Sequence, residues 1–483
     1  MARKDPTAAA MASSQLAAVC GLMLGMLVCG LDASIVNIIL PTLQTVFKVN
    51  VSQSMMLATI YLTMLASLQM LFGRCADIFS ASKVFLLGVI VFLIGSVGCA
   101  LSFSFAHILT GRMVQGIGGA MLASSFGAVI LKHVAREKTG STIGIVLMIM
   151  SVGTIVGPPL GGYLAEHFSW HWAFLINVPL CLIGIGALLV HLRAVPARER
   201  KPFRSRLSLI DIKGGVLSIL MFSSFPIALA TVADSGWRSP QVWGLLLLFS
   251  ISLVLFVMVE KRAEHPLVPL SLFGDQGVNI LLAIKLFLLM VVNGVMIVFP
   301  FFLTRSVGMT ASQAGVTMLA NAIAMAIATP LGGKLTDLYG GKTIQAIASG
   351  CLALIAAGTL MLPASPGQMT LALVLALFGI AVAPLMVSST TLLLERAPKG
   401  QEGVFSALNS LSVSVGGSLG LSLFASLYMF GSTGKSGVAA AQGGFSLALV
   451  GVVVCAVLLM AFAVFFMKRE GRAPSSVTEH VRS

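Results

Sequence analysis

Apolar residues fill this chain in long runs, and polar residues gather at short junctions between them. A helix needs about 20 apolar residues to cross a bilayer core of about 30 Å. Reading with a window of about 19 residues, the pattern predicts fourteen such helices. The first six cover 15–40, 54–73, 84–104, 106–131, 141–165 and 172–192. Two more follow at 212–233 and 241–260. The last six cover 278–303, 312–333, 342–363, 369–394, 403–429 and 442–467. Spans three and four nearly abut, and span thirteen is broken up by Gly and Ser.

Composition agrees with the pattern. The chain is 57% apolar and only 10% charged, against averages of about 45–50% and about 25% for soluble domains. Its mean hydropathy is +1.01. A soluble domain could not cover that much apolar surface. A soluble enzyme, a disordered chain and a secreted disulfide scaffold are therefore excluded in favour of an all-α polytopic membrane protein. The seven cysteines form no C-x-x-C pair and lie mostly in apolar stretches, which reads as packed free thiols.

The net charge of +14 would suggest nucleic acid in a soluble protein, but here the charges sit in short loops. With the N-terminus placed inside, 24 Lys and Arg fall on the inner side and four, Lys48, Arg238, Arg305 and Lys435, on the outer. This bias predicts an even number of spans with both termini cytoplasmic. The first apolar stretch exceeds a signal-peptide core and lacks a clear cleavage site, so it reads as a retained span. The basic run from Arg193 to Lys213 reads as topology retention, lying against the anionic inner leaflet.

The sequence repeats itself. Gly73 and Asp77 after span two recur as Gly333 and Asp337 after span ten, both at an offset of 260, and Pro41 recurs as Pro300 at 259. Spans 1–6 and 9–14 are thus read as two parallel copies of a six-helix unit, with spans 7 and 8 inserted between them. The expected organisation is a bundle over 1–192, a basic loop and inserted pair over 193–277, a second bundle over 278–467, and a tail over 468–483. Two related halves with a site between them is a common design of secondary transporters.

Asp32 is the one acidic residue in the interior of any predicted span; the other fifteen lie in tails, loops or at span ends. Charge at the bilayer centre costs about 2.5–3.5 kcal/mol on insertion scales, which makes an intramembrane carboxyl a functional candidate by default. A buried carboxyl can carry a proton in one conformation and release it in another. Arg112 lies at a similar depth, roughly 9–12 Å from the outer surface at 1.5 Å per residue, and is its natural partner; the alternative is that Arg112 snorkels outward. Lys285, seven residues into span nine, is expected to snorkel to the inner interface. The embedded amides Asn37, Asn177, Asn293 and Asn321 read first as interhelical hydrogen bonds. Asn37, Gln115, Asn293 and Asn321 are also carried as candidate substrate-pocket groups. Gly153, Gly157, Gly161 and Gly162 recur at helical spacing around Pro158 and Pro159, where small residues let backbones approach and proline permits a bend.

Five segments then carry a family resemblance. They are Leu31-Asp-Ala-Ser-Ile-Val-Asn-Ile-Ile-Leu-Pro41, Gly73-Arg-Cys-Ala-Asp77-Ile-Phe-Ser80-Ala-Ser-Lys83 and Arg112-Met-Val-Gln-Gly116-Ile-Gly-Gly119. The other two are Gly153-Thr-Ile-Val-Gly157-Pro158-Pro-Leu-Gly161-Gly162 and Ser169-Trp-His-Trp-Ala-Phe-Leu-Ile-Asn177-Val-Pro179. Together they resemble the major facilitator superfamily, specifically its fourteen-span drug:proton antiporters. The resemblance implies a major facilitator fold of two six-helix bundles plus two inserted helices. It implies proton-coupled export of amphipathic, cationic toxic compounds from a bacterial cell, with no cofactor beyond the proton gradient; the single intramembrane carboxyl favours monovalent cations over divalent ones. Asp32 and Arg112 would couple the proton. Gly73, Asp77, Lys83, Gly116, Gly153, Gly157, Pro158, Gly161, Gly162 and Asp337 would serve gating and helix packing. Partners would be a small-molecule substrate, protons and membrane lipids, without nucleic acid, and the chain is expected to act as a monomer. The loop after span two departs from the family pattern at Ile78, Ser80, Ala81 and Ser82, and His171 stands where an Arg is usual. No phosphate-binding loop, metal cluster or hydrolase nucleophile motif occurs, so neither ATP-driven transport nor catalysis is expected. The competing readings are a transporter of one metabolite on the same scaffold and a non-transporting membrane sensor.

Overall fold

In a hydrocarbon medium, backbone N–H and C=O groups must bond within their own segment, which leaves the apolar runs only the helix. A computed structural model describes residues 6–49, 51–194, 209, 211–236, 238–363, 366–434 and 436–470, with no strand among them. The long helices are α1 (Pro6–Phe47), α2 (Val51–Phe79), α3 (Ala81–Ala100), α4 (Phe105–His133), α5 (Thr139–His167) and α6 (Asn177–Ala194). They continue with α7 (Ile212–Ser235), α8 (Pro240–Glu260), α9 (Gln276–Phe301), α10 (Ala311–Tyr339), α11 (Gly341–Thr359), α12 (Gln368–Glu395), α13 (Glu402–Ser432) and α14 (Gly437–Glu470).

Thirteen stretches among the described residues are long and apolar enough to cross a membrane. The helix α7 contributes only a shorter apolar segment, Ile212–Phe225. Pro41 does not end the first helix, which continues to Phe47. Nor do Gly and Ser interrupt α13, which runs unbroken for 31 residues. Most of the Arg193–Lys213 run, Lys435 and Trp237 lie outside the described residues.

The chain forms two compact units. One comprises 1–270 with 394–414, the other 271–393 with 415–483. In the first, α1 packs on α5 and α6, α4 on α2 and α3, and α7 on α2 and α8. The α1–α5 seam is lined with glycine on the α5 side. A Cβ on Gly153 would stand 2.6 Å from the Leu27 carbonyl oxygen, one on Gly157 would overlap Ser34 Oγ, and one on Gly161 would meet Ile35 Cγ1 at 2.5 Å. A Cβ on Gly162 would make only an ordinary contact, with Ile38 Cγ2 at 3.8 Å. Pro158 and Pro159 lie inside α5, which continues through them. In the second unit, α14 packs on α9 and α11. There, a Cβ at Gly332 would approach Pro384 Cα to 2.7 Å, and one at Gly294 the Phe424 ring to 2.5 Å.

The repeat is visible in the backbone. The helices α2 and α10 are both 29 residues long and end at the same offset, at Phe79 and Tyr339. Each is followed by a one-residue joint with positive φ, 122° at Ser80 and 83° at Gly340. Gly340 adopts that angle without steric cost; Ser80 carries a Cβ into it. Replacing Ser80 with Gly should therefore stabilise the protein by about 1 kcal/mol, measured as a raised melting temperature in detergent. An unchanged or lower melting temperature would contradict strain at this joint.

Candidate functional site

Five helices converge on one buried carboxylate. Asp32 on α1 is 0% exposed and Arg112 on α4 is 1% exposed. Arg112 Nη1 donates to Asp32 Oδ2 at 2.5 Å. Gln115 sits one turn after Arg112, so both side chains leave the same face of α4. Its Nε2 donates to Asp32 Oδ1 at 3.0 Å and to Ser96 Oγ on α3 at 2.8 Å, while its Oε1 accepts from Arg112 Nη1 at 2.8 Å. Asn177 opens α6 and donates from Nδ2 to Asp32 Oδ1 at 3.2 Å. Arg112 is held further by Nε donating to the Leu57 carbonyl at 3.1 Å, and its guanidinium lies 4.4 Å from the Tyr61 ring centroid on α2.

Close packing brings these groups within reach. A Cβ on Gly116 would approach Met64 Cβ to 2.6 Å and the Tyr61 carbonyl to 2.8 Å, so glycine there lets α2 lie against α4. A Cβ on Gly95 would reach Gln115 N at 2.6 Å, and one on Gly111 would reach Cys99 Sγ at 2.6 Å. The carboxylate thus has one cation and two amide donors. Buried charge survives only when paired and hydrogen-bonded in this manner. One acceptor is left over: Asn177 Oδ1 is buried with no hydrogen-bond partner among the described residues.

Lys285 does not snorkel to an interface. It is 1% exposed and its Nζ donates to Thr390 Oγ1 at 2.5 Å within the second unit. Arg112 likewise does not reach outward, because Asp32 holds it. The four candidate pocket amides each have partners within their own unit. Gln115 belongs to the Asp32 network, and Asn37 is exposed and donates to Ala33 O of its own helix at 3.2 Å. Asn293 donates to Leu289 O of α9 at 3.0 Å. Asn321 ties α10 to α12 through the Leu375 carbonyl at 2.9 Å and lines a small cleft with Val295, Met325 and Phe378.

A second cluster lies where α2 ends. Asp77 accepts hydrogen bonds from the backbone N–H of Gly403 at 2.5 Å and of Val404 at 3.0 Å, at the start of α13. An acid belongs at such a helix start, where free N–H groups and the helix dipole both favour negative charge. Gly73 permits the approach, since a Cβ there would meet Ala407 Cβ at 2.5 Å and Gly403 O at 2.6 Å. Lys132 pairs with Glu402 at 3.6 Å beside it. Lys83 is exposed and Asp337 half-buried.

Sequence reading did not select Ser96, Asn177 or Tyr61 as members of the site. Asn177 stood out only as an embedded amide, and Ser96 and Tyr61 carry no intramembrane charge, which was the signal that located Asp32 and Arg112.

The sequence profile of the Major Facilitator Superfamily matches residues 22–421 and again 281–481. The chain is 30% identical to the multidrug resistance protein Stp of Mycobacterium tuberculosis, over 84% of this chain and 74% of that one. It is 26% identical to the riboflavin transporter RibZ of Clostridioides difficile, over 94% of this chain and 97% of the relative. Among solved structures, the proton:xylose symporter XylE superposes with a TM-score of 0.64 at 17% identity, covering 95% of this chain and 96% of that one.

Proposed function

The chain belongs to the Major Facilitator Superfamily, and from that premise we propose that it is a proton-coupled exporter of amphipathic, monovalent cationic compounds working by alternating access. It is an integral membrane transporter and not an enzyme. The buried Asp32–Arg112 pair carries the reading. Arg112, Gln115 and Asn177 all donate to the carboxylate. When Arg112 withdraws, a proton neutralises the carboxyl, and the spare Asn177 Oδ1 supplies an acceptor for it. A cationic substrate and a proton would then compete for one negative charge, which is the logic of antiport. With one carboxylate, a second positive charge on the substrate would stay unpaired and costly to desolvate.

The surrounding organisation follows the same reading. The helix α7 completes fourteen spans, with both termini cytoplasmic in a bacterial cell membrane. Bundles over 1–192 and 278–467 alternate access, and the chain acts as a monomer. Asp77 is a latch on α13, released once per cycle. The similarity to a riboflavin transporter supports a second reading, export or import of one metabolite on the same scaffold.

Energy coupling is tested in cells exporting a cationic dye. A protonophore applied with ATP held constant should abolish export. Export that continues under those conditions would remove the proton from the mechanism.

A further inference from the structure

Along α13, Glu402, Ser406 and Ser410 follow one another at four-residue steps and so share one face of the helix. Within the first unit that face runs antiparallel along α4. Glu402 pairs with Lys132 at 3.6 Å. Ser406 Oγ, fully buried, accepts from Gly127 N at 3.2 Å, and Ser410 Oγ donates to the Ala123 carbonyl at 2.5 Å. Gly127 leaves the room for this, since a Cβ there would stand 2.8 Å from Leu394 Cδ1 and 3.0 Å from Ser406 Oγ. The N–H of Gly127 and the carbonyl of Ala123 are the two ends of one hydrogen bond of an α-helix. Both serines therefore address the same turn of α4, which runs unbroken from Phe105 to His133.

That turn lies where α4 passes from one neighbour to another. Before it, α4 is fastened to α3: a Cβ on Gly118 would stand 2.6 Å from Phe92 N, and one on Gly88 2.8 Å from Met121 Cβ. At its start, the Met121 carbonyl accepts from Ser125 Oγ at 2.5 Å and from Ser124 Oγ at 3.3 Å. Hydroxyls that bond back onto a helix, or reach into its ladder from outside, loosen the turn and bend it. Arg112 sits eleven residues before Ala123, roughly 16 Å along the axis at 1.5 Å per residue. A change of about 20° in the bend displaces Arg112 by about 6 Å relative to the part of α4 beyond the turn, which exceeds the reach of a hydrogen bond. A serine can also turn back to its own helix, as Ser412 Oγ does to the Leu408 carbonyl at 2.8 Å, so α13 can leave without stranding either hydroxyl.

We propose that Ser406 and Ser410 are positioning residues for the Asp32–Arg112 pair: by sharing the bond between Ala123 and Gly127 they set the bend of α4, so that seating α13 and pairing Arg112 with Asp32 become one event. With α13 seated, α4 holds Arg112 on the carboxylate. When α13 lifts off, the turn recovers its full backbone bond, the bend changes, and Arg112 is drawn from Asp32, which then takes its proton. Neither serine touches proton or substrate. The inference rests on the proton-coupling reading of Asp32 and Arg112 given above.

Ser406→Ala/Ser410→Ala removes both shared bonds and keeps the helix, alanine being the better helix former. Two measurements on the purified full-length protein read the result. In hydrogen–deuterium exchange, the Gly403 and Val404 amides, which Asp77 holds, should exchange faster by about threefold or more. In proton release on adding ethidium, a monovalent cation, the pH midpoint should rise by about half a unit, because the state that takes the proton is reached more often. Gly127→Ala, which crowds Ser406 from the other side, should reproduce both effects, and Ser412→Ala should produce neither. Faster exchange with an unmoved midpoint would mean that the serines only pack the helices together; the inference would be overturned while the Asp32–Arg112 reading stands. Unchanged exchange, or an equal effect from Ser412→Ala, would overturn it as well. Proton release that persists in Asp32→Asn, or that is missing from the wild-type protein, would sink the coupling reading itself, and the inference with it.

Discussion

Asp32→Asn abolishes gradient-driven export and lowers stability more than any other single change at the site. The side chain keeps its size but can neither ionise nor carry a proton. Arg112 is then left as a buried cation that cannot shed its charge, retaining the Leu57 carbonyl, the Gln115 carbonyl oxygen and the Tyr61 face. Breaking a buried pair from one side costs about 3–5 kcal/mol, and the surviving contacts put the expected loss at the lower end of that range. The measurements are melting in detergent and dye uptake into inverted vesicles across pH. A variant that still exports a cationic dye against its gradient, driven by pH alone, would show that the proton travels elsewhere.

Arg112→Gln also ends export, with a smaller loss of stability. The residue left behind is a carboxyl, which can become neutral by taking up a proton. The pair thus predicts an asymmetry that contact lists alone would not: the acid's removal is worse than the base's. The double variant Asp32→Asn/Arg112→Gln should be more stable than Asp32→Asn by about 2–4 kcal/mol, because no unpaired charge remains, while export stays absent. Equal melting of the two single variants, or a double variant no better than Asp32→Asn, would mean that the pair does not hold the charges as described.

The helices and the charge pair were legible in the chain because each follows from one strong physical term. Apolar runs of bilayer length have no alternative to helix, and a lone carboxylate among them has to meet a cation. The glycines of α5 announced a close seam, though Gly162 has room for a side chain beside Ile38. What stayed hidden depended on which neutral side chains meet across helices. Ser96, Tyr61 and Asn177 are ordinary membrane residues until α2, α3 and α6 bring them to Asp32. Lys285 was misplaced for a similar reason: its depth suggested escape to an interface, whereas Thr390 on α12 gives it a buried acceptor. The continuation of α1 past Pro41 was missed because a proline in lipid costs one hydrogen bond without ending the helix.

The seam between α1 and α5 has a mechanical consequence. Where Gly153 and Gly157 lie against Leu27 and Leu31, backbone meets backbone, and beside them only Ser34 and Ile35 reach α5 with side-chain atoms, which leaves few rotamers through which the helices could slide or re-register. Packed surfaces of this kind behave as one solid piece, and motion concentrates where side chains can change partners. Asp32 stands on that piece between two of the contact points. Any stroke that carries the carboxyl from one surrounding to another must therefore move α5 as cargo. Arg112 on α4 and Asn177 on α6, by contrast, hold the carboxyl by side-chain hydrogen bonds, which can change partners.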